Sequence, residues 1–252
     1  MKLQDLNLNL TMNKYCVVTF FTKNLNWYAL ELSKLRQAYC DRHGIDYIIY
    51  DVNHCHNRSL QWNKIQAILS MFQRGYTHVY WQDADSVFMP WSDHFIEYVE
   101  DSCEVKITLD YIKIFSKDVG CNTGDMYFKN TDIAVDILNT VWAWVVYYNK
   151  PYYDQSSLDQ VLLLYKNDNR VSYYKPFIYN QMLYYDVDHM STVFHAVNVN
   201  NTVSELNRVL ELFFGYEKNF IKSYASDPSL KNIITNTVKL YFATKHGKVV
   251  SS

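Results

Sequence analysis

Two carboxylates two residues apart, Asp83 and Asp85 in the stretch THVYWQDADSVFMPW, stand at the end of a Val, Tyr and Trp run. Like charges at that spacing repel, and burial beside an apolar strand adds a desolvation penalty. A divalent cation removes that cost, and hard carboxylate oxygens suit Mn²⁺ or Mg²⁺. The spacing alone is unspecific in a chain with 26 acidic residues, and Asp186 and Asp188 repeat it. That second pair follows MLYY and reads as a solvated turn.

What separates the pairs is the pattern that leads to Asp83. KYCVVTFFT, residues 14–22, is a β-branched and aromatic run that predicts a strand. A helix follows over Trp27–His43 with Gly44 as its stop, and then a strand over residues 45–51. In QWNKIQAILSMFQRG, Trp62, Ile65, Leu69 and Phe72 share one helical face before Gly75. The third strand, residues 77–82, delivers Asp83 and Asp85 to its C-terminal end. Downstream, EVKITLD predicts a strand, GCNTGDMYFKN a Gly-punctuated loop before a short strand, and residues 131–148 an aromatic helix. DQSSLDQVLLLY predicts a helix capped by Asp154, while RVSYYK and STVFHAV read as later strands. Strands alternating with helices imply an α/β fold with a largely parallel sheet, whose ligands sit beyond the carboxyl ends of the strands. Helical spacing returns over residues 203–224 and 230–242. The expected organisation is a catalytic domain over residues 1–202 and a helical extension over 203–252.

With 252 residues, 49% hydrophobic and 20% charged, the chain can bury a large core. A net charge of −2 gives no polyanion-binding signature, which argues against a nucleic-acid partner. The 23 Tyr and 6 Trp fit either a Tyr-rich core or a sugar-binding surface, because sugar faces pack on aromatic rings. Cys16, Cys40, Cys55, Cys103 and Cys121 form no even, closely spaced framework, which favours reduced thiols in a cytoplasmic, soluble protein. Cys40, His43, His54, Cys55 and His56 lack the spacing of a structural zinc site and read as a polar surface loop. The N-terminal residues hold no apolar run long enough for a signal peptide or an integral membrane segment.

Five ordered elements, WNKIQAILSMF, VYWQDADSVFMP, GCNTGDMYFKN, DQSSL and FHAV, carry a more specific signal. From Trp62 to His195 the chain resembles glycosyltransferase family 34. The resemblance implies the GT-A glycosyltransferase fold, with a Rossmann-like, mostly parallel central sheet flanked by helices. It also implies a metal-dependent, retaining transfer of a sugar from a nucleotide-sugar donor, UDP-linked by first choice, to a glycan, glycoprotein or glycolipid acceptor. Asp83, Ala84 and Asp85 would form the donor site, with Mn²⁺ or Mg²⁺ held by Asp83, Asp85 and His195. Asn122, Thr123 and Gly124 would lie beside the donor sugar, and Lys64 would face the diphosphate. Asp154 and Gln155 would act at the reacting carbon, Asp154 either positioning the donor or forming a covalent intermediate. Thr22, Lys23 and Asn24 are placed at the nucleotide by fold analogy alone.

Two departures from the family pattern stand out. Tyr153 occupies the position of a family Asp, and Ala196-Val197-Asn198 follows His195 in place of Gly and Cys.

Rival expectations have different requirements. A haloacid-dehalogenase-like phosphohydrolase would use DADSV with Asp83 as nucleophile, but that motif normally ends the first strand and needs a later paired-Asp site. A non-catalytic carbohydrate-binding module would use the aromatic residues and a metal without turnover. Lysines interleaved with aromatics over residues 203–252 would permit peripheral contact with an anionic membrane, although a solvated face packed on the core is the plainer expectation.

Overall fold

The computed structural model describes residues 13–23, 26–88, 102–109, 120–144, 153–174, 181–182 and 193–195. The Asp186 and Asp188 pair and the expected extension over 203–252 lie outside the described residues. Six strands form the main sheet: β1 (Tyr15–Thr19), β2 (Asp46–Ile49), β3 (His78–Gln82), β5 (Val105–Leu109), β6 (Cys121–Lys129) and β7 (Val171–Tyr174). A smaller sheet holds β4 (Ser86–Phe88), β8 (Gln181–Met182) and β9 (Val193–His195). The helices are α1 (Asn26–His43), α2 (Asn63–Gln73), α3 (Asp132–Ala143) and α4 (Tyr153–Leu164), and a 3₁₀ turn over Leu60–Trp62 leads into α2.

In the main sheet the order is β2-β1-β3-β6-β5-β7. β1 runs parallel to β2 and β3, β7 runs parallel to β5, and β6 alone is antiparallel to its neighbours β3 and β5. The sheet is therefore mostly parallel, as the alternation of elements predicts.

Side-chain alternation along the strands separates two apolar layers. Cys16, Val18, Val79 and Trp81 pack with Ile65, Ile68, Met71, Ile137, Leu138, Leu158 and Val161 from α2, α3 and α4. Val17, Tyr80 and Tyr127 pack on the other face with Tyr39 and Cys40 of α1 and with Phe88. Helices on both faces leave the central strands buried throughout, and β3 shows it at all five positions.

Helix boundaries follow local chemistry. Gly44 and Gly75 end α1 and α2 at φ +65 and +87, the left-handed values that glycine adopts without steric cost. The inner stripe of α2 differs from expectation. On α2, Ile68 and Met71 are fully buried with Lys64 among them, while Leu69 is only partly buried. On α1, Leu30 is exposed, and the buried stripe is Ala29, Leu32, Ser33, Arg36, Tyr39 and Cys40, a helical repeat with a serine and an arginine inside it.

CNTG is also not a loop. Residues 121–124 begin the long strand β6, and its register against β5 jumps from Ile107↔Met126 to Thr108↔Asn122. Thr123, Gly124 and Asp125 are thus set free of β5; Asp125 pairs with Gln82 of β3, and the Gly124 carbonyl accepts from the Asp83 amide just beyond it. Cysteines 16, 40, 55, 103 and 121 form no disulfide, and Cys55 is buried in the core, so the His-Cys-His stretch is not wholly a surface loop. Among the described residues no helix is long and apolar enough to cross a membrane.

Candidate active site

At the C-terminal end of β3 a cleft of about 290 Å³ is lined by Phe20, Thr22, Lys64, Trp81, Asp83 and Asp85, among others. The parallel strands β1 and β3 deliver the first wall and the carboxylates to the same edge.

The carboxylates do not stand without a counter-charge. Lys64 is buried, and its Nζ lies 3.2 Å from Asp83 Oδ1 and 3.2 Å from Asp154 Oδ2. It also donates to the Thr123 carbonyl at 3.1 Å and the Thr123 hydroxyl at 3.0 Å. The contact with Asp154 Oδ2 is a buried ion pair. Asp83 Oδ1 additionally accepts from Trp81 Nε1 at 2.7 Å.

Burial by itself disfavours the Lys64 ammonium, but Asp154 and then Asp83 outweigh it, so its pKa moves upward. For Asp154, burial is the largest influence and raises its pKa; Lys64 opposes and Asp83 adds to the rise. The lysine is the firm charge of this cluster, and the carboxylates compete for it.

The sequence expectation that Asp154 caps its helix does not hold. It lies within the first turn of α4, and its carboxylate is committed to Lys64. Tyr153 just before it has φ +38, a left-handed backbone that a tyrosine adopts only under strain. Lys64 is buried on α2 rather than solvated. It still lines the cleft, so its position is compatible with a donor diphosphate while its charge is shared with two carboxylates.

Of the other anticipated residues, Ala84 and Thr22 line the cleft, Lys23 is exposed, and Asn24 lies outside the described residues. Asn122 is buried and its Oδ1 accepts from the Gly124 amide at 2.8 Å, while the Gly124 carbonyl accepts from the Asp83 amide at 2.7 Å. Gln155 is half-buried, and its carbonyl faces Cys121 Sγ at 3.7 Å. Strand β9 pairs antiparallel with β4 and sets the backbone of His195 opposite Ser86, the residue after Asp85. Among the described residues no three His, Cys, Asp or Glu side chains group as a metal site.

Two residues at this site escaped the sequence reading. Arg36 is fully buried on α1 and donates to the carbonyls of Asp83 at 3.3 Å and Ala84 at 2.9 Å. Asp125 is buried on β6 and accepts from Gln82 Nε2 at 3.2 Å and Ser86 Oγ at 2.9 Å, tying the ends of β3 and β4 together. The signal for Arg36 was its place on the inner stripe of α1. Asp125, directly after CNTG, offered none.

No protein-family model and no curated protein sequence matches the chain. Among solved structures it is similar to a glycosyltransferase involved in the glycosylation of the major capsid of PBCV-1. That match has 14% identity and a TM-score of 0.60, covering 73% of this chain and 94% of that one. It also matches the galactosyltransferase LgtC in complex with donor and acceptor sugar analogues, at 12% identity and a TM-score of 0.44, covering 73% and 87%. With the mixed, mostly parallel sheet flanked by helices, the first of these likenesses gives the chain a GT-A-like glycosyltransferase fold.

Proposed function

We propose that this protein is a metal-dependent, retaining glycosyltransferase that moves a sugar from a nucleotide-diphosphate donor to a glycan hydroxyl. The observation that carries the proposal is the cluster at the end of β3. Asp83 and Asp85 line the cleft, Asp83 and Asp154 flank the single ammonium of Lys64, and Arg36 lies behind the turn. Carboxylates outnumber cations even when Arg36 is counted. A donor diphosphate adds further negative charge, so a divalent cation is the chemically consistent complement.

The cation would be Mn²⁺ or Mg²⁺ on Asp83, Asp85 and His195, and the strand register that sets the His195 backbone opposite Ser86, next in sequence to Asp85, supports this ligand set. Bound there, it would supply charge stabilisation to the departing diphosphate. Lys64, which lines the cleft, holds Asp154 behind it, and Thr123 shares the same ammonium. Asp154 would thereby be oriented toward positive charge developing on the sugar, and Gln155 would follow it on α4.

Assignment to family 34 rests on the order of the motifs from Trp62 to His195, and retention and a UDP-linked donor follow from that resemblance. A phosphohydrolase would need Asp83 to attack phosphorus, yet Lys64 and Trp81 both hold its Oδ1, which suits a fixed ligand better than a nucleophile. The test is hydrolysis of a panel of UDP- and GDP-sugars with and without Mn²⁺. Metal-dependent release of the nucleotide from one donor supports the proposal, and phosphate release from a generic phosphomonoester with no reaction on any donor overturns it.

A further inference from the structure

Arg36 poses a specific problem. It is 0% exposed, yet the acceptors of its guanidinium are all neutral oxygens. Nε donates to the Leu32 carbonyl at 3.3 Å, and one terminal nitrogen donates to Thr19 Oγ1 at 3.1 Å and the Asp83 carbonyl at 3.3 Å. The other donates to the Ala84 carbonyl at 2.9 Å. A buried cation satisfied only by neutral groups is costly, and a methionine would fill similar space. What a methionine lacks is a planar fork of donors that can reach a hydroxyl and two carbonyls at once.

Those three acceptors define what the fork does. Thr19 ends β1, while Asp83 and Ala84 open the turn after β3, so one rigid group locks that turn to the neighbouring parallel strand and to α1. From the other side the Asp83 amide donates to the Gly124 carbonyl at 2.7 Å, and the Ser86 amide closes the turn on the Asp83 carbonyl at 3.0 Å. The backbone bearing Asp83 and Asp85 is thus gripped from α1 and from β6, while both residues line the cleft. The positive charge behind the turn also offsets the repulsion between the two carboxylates in front of it.

We infer that Arg36 is a positioning residue that presets the Asp83-Ala84-Asp85 turn for its divalent cation. The inference rests on the metal-site reading above. Arg36 itself reaches neither metal nor donor. Its effect belongs in metal affinity, where a partner behind the ligands typically accounts for about 10- to 100-fold.

The experiment is Mn²⁺ titration of the purified full chain by calorimetry, with Asp85→Ala as the site control and circular dichroism and Tm recorded for every variant. Arg36→Met should weaken Mn²⁺ binding about 10- to 100-fold. Arg36→Lys should recover part of the loss, because it restores the charge without the fork. Thr19→Val, which leaves the guanidinium in place and removes one of its anchors, should weaken binding several-fold. Saturating Mn²⁺ should restore donor hydrolysis in each of them. A purely architectural Arg36 would lower Tm and leave Mn²⁺ affinity of the folded protein unchanged, and that result overturns the inference. Should neither Arg36 variant fold, Thr19→Val decides, and unchanged affinity there overturns it equally. A wild-type chain that binds Mn²⁺ but turns over no nucleotide sugar defeats the transferase reading alone. A wild-type chain that binds no Mn²⁺ defeats the metal-site reading and this inference with it.

Discussion

Lys64 Nζ and Asp154 Oδ2 lie 3.2 Å apart with both side chains 4% exposed, which joins α2 to the first turn of α4 through a buried ion pair. Asp83, whose side chain is 28% exposed, takes the same ammonium from the cleft side. One lysine therefore serves a buried carboxylate and a cleft carboxylate together. Anything that neutralises Asp83 frees Lys64 to favour Asp154.

Removing that lysine leaves two carboxylates facing each other without their cation. Lys64→Met, close in volume, should destabilise the fold by about 3–5 kcal/mol, the range for breaking a buried pair from one side. Urea denaturation in EDTA measures it, and added Mn²⁺ should recover part of the loss by taking over Asp83. A loss below about 1 kcal/mol is the range of an exposed pair and would mean that the cluster is hydrated in solution.

The pH dependence has a definite sign. Burial first, and Asp83 after Lys64 has opposed it, raise the Asp154 pKa above its ordinary value of 3.8. The folded state then binds the proton more tightly than the unfolded chain, so the contribution of Asp154 to stability is fully present below that ordinary value. It is lost as pH rises through the folded pKa. Lys64 is raised from 10.5, so its own contribution persists until strongly alkaline pH. Asp154→Asn removes the titration, and its stability relative to wild type should improve as pH rises above the ordinary carboxylate value in urea titrations with EDTA. A difference that stays flat, or runs the other way, would show that Lys64 holds Asp154 ionised throughout.

The sheet was legible because its strands are written in β-branched and aromatic runs that end in polar residues, and β3 with Asp83 after it is the plainest instance. The end of α2 was equally legible, since Gly75 adopts a conformation that favours glycine. Three features were not. β6 begins at CNTG, where asparagine and glycine read as a turn, because the strand's hydrogen bonds come from neighbours distant in sequence and its register is broken at Thr123 to Asp125. The stripe of α1 was obscured by Ser33 and Arg36, polar residues whose partners are the Ala29 carbonyl and the turn after β3. Asp154 looked like a cap because local sequence offers a cap's position, whereas its partner Lys64 lies ninety residues earlier in the chain.

Tyr153 offers a test of strain beside Asp154. Its φ of +38 is the left-handed region, and a residue other than glycine or asparagine held there costs on the order of 1–2 kcal/mol. Tyr153 is 37% exposed, so substitution there removes less packing than it would in the core. Tyr153→Asn should therefore raise stability by about 1 kcal/mol, because asparagine tolerates that conformation. Differential scanning calorimetry reads it directly, and a lower Tm would mean that the tyrosine ring contributes more than the backbone strain removes.

Metal linkage brings the carboxylate turn and His195 into one measurement. If Mn²⁺ binds the folded chain alone, stability rises with its concentration, by about 2.7 kcal/mol at 100 times the dissociation constant. Asp85→Ala and Asp83→Ala should each abolish that rise and lower donor hydrolysis by about 10² or more, the scale for deleting one transition-state stabiliser. Asp186→Ala should leave both intact. The two cleft variants should differ without metal, because Asp83→Ala removes a partner of Lys64 and relieves the charge that raises Asp154, whereas Asp85→Ala leaves the Lys64 pairs in place. His195→Ala should weaken the Mn²⁺-dependent rise without abolishing it, since two carboxylates remain. Thermal shift across a Mn²⁺ series checks all four variants together. Loss of the rise in Asp186→Ala, with Asp83→Ala and Asp85→Ala behaving as wild type, would move the metal away from β3 and leave Lys64 and Arg36 to offset the carboxylates there.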